Sequence, residues 1–107
     1  MMTISRVHDD FSRALGTAQA TYDQFKPNVV VGSSRSGAVA MSLNAGNTPL
    51  VLSCPAWKKW GQAITIRQSL RVLHSPNDDV IPFGDSVELV RRSNLDSNHL
   101  IPVGNDH

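Results

Sequence analysis

The sequence predicts an α/β domain with a mostly parallel sheet and helices on both faces. Three observations lead there. Short, continuous apolar runs at residues 29–31, 50–52, 70–73 and 100–103 have the length and unbroken hydrophobicity of buried strands. Segments with helical spacing lie between several of these runs. The length of 107 residues makes one domain the expectation.

The first element is a helix. In residues 9–25, Phe11, Leu15, Ala18, Tyr22 and Phe25 fall on one helical stripe. Asp9 and Asp10 stand where carboxylates favour a helix N-terminus, and Pro27 stops the helix. Residues 28–31 then form a β-branched run, Val29-Val30-Val31, and no strand is expected before it. After Gly32-Ser33-Ser34-Arg35-Ser36-Gly37, residues 38–44 suit a helix packed closely on a sheet, with Gly46 able to end it. Residues 50–52 form a second strand, and residues 54–61 a loop carrying Trp57 and Trp60. A third strand is expected over 70–73 and a helix over 83–92, with Arg91 and Arg92 in its last turn. The fourth strand spans 100–103, where Pro102 points to an imperfect or terminal position.

Composition narrows the function classes. Hydrophobic residues make up 40% and charged residues 18%, as in a globular domain rather than a disordered chain. A formal charge of +1 gives no electrostatic case for nucleic acid or an anionic membrane as partner. The lone cysteine, Cys54, excludes an internal disulfide and any CxxC metal knuckle, and no metal or cofactor is expected. No apolar run has the length of a membrane span, and residues 1–10 lack the apolar stretch of a signal peptide, so a cytoplasmic protein is the default expectation.

Parallel sheets bind ligands outside the carboxyl ends of their strands, which directs attention to the turn after each strand. Gly32 to Gly37 runs from a strand straight into a helix with Ser34 at its centre. A sharp strand-to-helix turn of small residues exposes a central hydroxyl, and glycines are needed where backbones crowd. The alternative, a phosphate-binding loop, lacks its signature: Gly37 is followed by Ala38 and Val39 rather than Lys and Ser or Thr, and Ser34 replaces the glycine of a dinucleotide fingerprint.

Residues 29–40 resemble the nucleophile elbow of α/β-hydrolases, with Ser34 in the nucleophile position and Ser36 where the G-x-S-x-G pattern has its second glycine. Residues 74–82, His-Ser-Pro-Asn-Asp-Asp-Val-Ile-Pro, resemble the acid loop H-G-x-x-D-x-x-V-P of that family, which carries the triad acid over to Asp78; a shift of one would make it Asp79. Residues 100–107 are similar to the last strand and histidine loop, with Gly104 three residues before His107. The order Ser34, Asp78, His107 is the order of this fold.

The resemblance implies a compact serine hydrolase, acting on a small carboxylic ester or thioester through an acyl-enzyme. Ser34 would attack, His107 would carry the proton and Asp78 would orient the imidazole. The backbone N–H of Arg35 would supply one oxyanion contact. Trp57 and Trp60 are candidates for the substrate pocket, or equally for covering loop and core. His74 reads as a structural residue at a strand end, and His8 and His99 as solvated. The resemblance also implies an early strand with a His-Gly oxyanion loop and a final helix, neither of which is legible here. The chain therefore reads as cut short at both ends, with little or no esterase activity and only marginal folding alone, and with a homodimer as one way to cover the exposed sheet. The alternative reading is a non-catalytic remnant of the fold with a binding or structural role.

Overall fold

The computed structural model describes residues 1–4, 10–61, 63, 65 and 71–104. They form a five-stranded, all-parallel sheet in the order β1-β2-β3-β4-β5, with three α-helices between its strands. The strands are β1 (Met2–Ile4), β2 (Val30–Ser33), β3 (Leu50–Ser53), β4 (Arg71–His74) and β5 (Leu100–Pro102). The helices are α1 (Phe11–Phe25), α2 (Arg35–Ser42) and α3 (Phe83–Arg92).

Strand register sorts the sheet into two unlike faces. Ile4, Gly32, Leu52, Val72 and Leu100 stand side by side in one row across all five strands. This face forms the core with Ala14 and Ala18 of α1, Val39, Ala40 and Met41 of α2, and Leu89 and Val90 of α3. Leu52, Val72, Val39 and Leu89 are fully buried, and each such side chain contributes about 1.5–3 kcal/mol by leaving water. On the opposite face, Val31, Val51, Leu73 and Ile101 are only half-buried. The described helices thus all add to one face, where the sequence leads one to expect helices on both. The runs look fully buried because their second-face residues are also apolar.

Each helix has a local cause. The Asp10 side chain accepts from the Arg13 N–H at 3.2 Å and caps α1. Lys26, at φ 44°, ends α1 with its N–H bonded to the Tyr22 carbonyl, one residue before Pro27. The stripe is narrower than expected: Ala14 and Ala18 are buried, while Phe25 is 68% exposed. Helix α2 begins at Arg35, three residues earlier than composition suggests, and ends at Ser42, before Gly46 is reached. Helix α3 coincides with its predicted span.

The principal correction is β1. Met2–Ile4 pairs in parallel with Val30 to Gly32, so a strand does precede Val29. Three residues carry no readable periodicity; their pairing with β2 makes them a strand. The expected strand at 70–73 is β4, one residue later, and Leu70 lies outside the described residues.

Candidate functional site

All five strands run the same way, so the loops after β2, β3, β4 and β5 share one edge of the sheet. Ser34 comes directly after β2 and is the N-cap of α2, with φ 54° and ψ −119°. A side chain at positive φ with this ψ is strained, by about 1–3 kcal/mol, and persists only where neighbours enforce it. Those neighbours are visible. The Ser34 N–H donates to the Ser53 carbonyl at 2.8 Å. The Ser34 carbonyl accepts from Gly37 at 3.1 Å, Ala38 at 3.3 Å and Ala56 at 2.9 Å. The turn is therefore held by its own helix and by the loop after β3.

The small residues of the turn have distinct reasons. A Cβ on Gly32 would lie 2.5 Å from the Ser36 carbonyl oxygen, which is backbone and cannot step aside. A Cβ on Gly37 would lie 3.0 Å from both Cα and Cβ of Pro55. Ser36, at the place of the motif's second glycine, is buried, and Gly37 makes the close approach instead. Arg35 is the first residue of α2, where backbone N–H groups point out of the helix end. Such a group can donate to an anion.

The two tryptophans part ways. Trp57 is 5% exposed, belongs to the core and donates its indole N–H to the Asp85 carbonyl of α3 at 2.9 Å. Its ring packs in the core and its one donor goes to α3, which matches the core-covering alternative left open for it. Trp60 is half-buried, sits edge-on to Phe11 at 4.9 Å between ring centroids, and has the Arg35 guanidinium 4.3 Å from its own ring centroid. Trp60 is thus the tryptophan next to the Ser34 turn. Its backbone N–H bonds to the carbonyl of Ala56, the residue whose own N–H holds Ser34.

In the loop after β4, Asp78 is buried and Asp79 exposed. Asp78 Oδ1 accepts from the N–H groups of Val80 and Ile81, both at 2.8 Å. Its Oδ2 lies 3.1 Å from Nε2 of His74. His74 is buried at the end of β4, with Nε2 also 2.8 Å from the Ile81 carbonyl and Nδ1 2.6 Å from the Ser86 hydroxyl of α3. The strand-end position of His74 was expected, but its pairing with Asp78 was not. His99 is half-buried, with Nδ1 3.0 Å from the Asp96 carbonyl.

His107 and His8 lie outside the described residues, as does the segment between β1 and Asp10. β5 brings the chain towards this edge: the Val103 N–H donates to the His74 carbonyl at 3.0 Å, four residues before His107. Among the described residues, no group of three or more His, Cys, Asp or Glu is placed to hold a metal ion, and no helix is long and apolar enough to cross a membrane. No protein-family model matches the chain, and neither a curated protein nor a solved structure is significantly similar to it.

Proposed function

We propose that this chain is a serine hydrolase of the α/β-hydrolase type, acting on a small carboxylic ester or thioester. The observation that carries the reading is the backbone of Ser34, at φ 54° and ψ −119° between a parallel strand and a helix. Strain of this kind gathers at functional sites, and a strained strand-to-helix turn is how this fold presents a nucleophile. The burial of Asp78 against exposed Asp79 supports Asp78 as the acid. We further propose His107 as the base and the cytoplasm as the compartment.

In this mechanism His107 takes the proton as Ser34 Oγ attacks the ester carbonyl. The tetrahedral oxyanion is stabilised by the Arg35 N–H, and His107 then protonates the leaving alcohol or thiol. Water, deprotonated by the same imidazole, hydrolyses the acyl-enzyme and releases the acid. Asp78 holds the imidazole in the tautomer that can accept the serine proton. Trp60 borders the acyl site.

One observation favours a second reading, a non-catalytic domain. Asp78 already serves the structure, through two backbone N–H groups and His74. Hydrolysis of p-nitrophenyl acetate separates the two. A rate that falls to background in Ser34→Ala supports the hydrolase, and equal rates in both proteins overturn it.

A further inference from the structure

Resting on the hydrolase reading, we propose that His74 is a positioning residue for the acid Asp78, tied through Ser86 to helix α3. The geometry begins at the carboxylate. Oδ1 of Asp78 accepts from the N–H groups of Val80 and Ile81, and in the hydrolase reading Oδ2 is the oxygen that meets the catalytic base. Oδ2 has His74 Nε2 at 3.1 Å, with both side chains fully shielded from water.

The hydrogen-bond partners fix the state of His74. Nε2 faces two acceptors, Asp78 Oδ2 and the Ile81 carbonyl, so it carries a proton. In the neutral ring Nδ1 is then the acceptor, and the Ser86 hydroxyl donates to it at 2.6 Å. Phe83 closes one side of the ring, edge to face, at 5.6 Å between centroids. Ser86 is fully buried on α3, so the imidazole is gripped from both ends. His74 therefore sets two things at once. It holds Ile81, whose N–H orients the carboxylate, and it presents a partial positive charge to the oxygen that must stay ionised and aimed.

The test compares His74→Leu, His74→Gln and Ser86→Ala in the full chain. Turnover of a p-nitrophenyl ester is measured per active site, titrated with a fluorophosphonate, across the pH profile of kcat/KM. His74→Leu is expected to lower kcat per titrated site about tenfold or more with KM little changed, as a misaimed catalytic group does. The acidic limb of the profile is expected to move to lower pH, because a poorly aimed carboxylate stabilises the imidazolium less. His74→Gln, whose amide N–H can replace Nε2–H, should recover most of the rate. Ser86→Ala, the mildest change, should move kcat and the acidic limb in the direction of His74→Leu by a smaller amount. If Ser86→Ala and any folded His74→Leu lower only the melting temperature, with kcat per site and the acidic limb unchanged, His74 is merely structural and the proposal fails. If wild-type turnover does not depend on Ser34, the hydrolase reading itself falls, a different outcome from the loss of the His74 role alone.

Discussion

The backbone N–H of Ala56 donates to the carbonyl of Ser34 at 2.9 Å, so the loop after β3 holds the turn after β2. The adjacent Pro55 packs where a side chain on Gly37 would stand. The Ser34 turn is thus built from two segments, and its strain is sustained by contacts outside the motif.

Three glycine substitutions should rank by the space available. Gly32→Ala meets backbone at 2.5 Å and is expected to destabilise by about 1–3 kcal/mol or more. Gly37→Ala meets Pro55 at 3.0 Å and should cost less. Gly16→Ala, exposed within α1 with nothing within 4 Å, should stabilise by about 0.5–1 kcal/mol. Urea unfolding of the three variants checks the order.

Asp78 and Asp79 should separate in both stability and turnover. Asp78→Asn weakens two charge-assisted hydrogen bonds inside the loop and is expected to cost about 1–3 kcal/mol. Its turnover should fall by orders of magnitude, because an asparagine permits the wrong imidazole tautomer. Asp79→Asn, on the surface, should stay within about 0.5 kcal/mol and near wild-type rate. Reversed behaviour in thermal melts and ester assays would move the acid by one position.

Trp57 and Trp60 should differ in kind. Trp57→Phe leaves the Asp85 carbonyl without its indole donor and opens core volume, so it should lower stability by about 1–3 kcal/mol. Trp60→Ala should act chiefly on KM for esters of different acyl size. Melting temperature and kinetics on a short ester series distinguish the two.

The surface cluster of Lys58, Glu88 and Arg92 predicts a small pH dependence. Lys58 Nζ lies 2.6 Å from Glu88, and Arg92 Nε lies 2.9 Å from Glu88. Hydrogen bonds from Lys58 and then Arg92 hold the Glu88 carboxyl below its ordinary value, against an opposing effect of desolvation. The hydrogen bond with Glu88 likewise raises Lys58. A lowered carboxyl contributes stability above its unfolded value of 4.5 and loses it as pH falls through the lower folded value. A raised amine contributes below 10.5 and loses it as pH rises through the higher folded value. Glu88→Gln should therefore flatten the acidic decline of melting temperature slightly, and the difference should shrink in ~1 M salt.

Much of this was legible in the sequence, for physical reasons that differ by element. Helix α3 was readable because its buried Leu89 and Val90 and its terminal arginines are local signals. Strands β2 and β3 were readable as apolar runs between turn residues. β1 was not, since a three-residue strand exists only through its neighbour β2. The start of α2 was missed because Ser-Arg-Ser-Gly looks like loop, and it becomes helix where Ser34 accepts from Gly37, Ala38 and Ala56. The loop after β4 was marked by sequence, but the grip of His74 and Ser86 on it depends on where α3 packs. The part played by Pro55 and Ala56 had no signal beyond a small residue after a proline.

The most direct test of the central claim is covalent labelling of Ser34. The wild-type chain is treated with a fluorophosphonate, and the modified peptide is identified by mass spectrometry. Modification is expected at Ser34 alone, not at Ser33 or Ser36, and is expected to vanish in Ser34→Ala. Its rate should rise with pH through the range in which an imidazole loses its proton. Labelling that persists in Ser34→Ala, or a properly folded chain that takes no label, would contradict the assignment of Ser34 as the nucleophile.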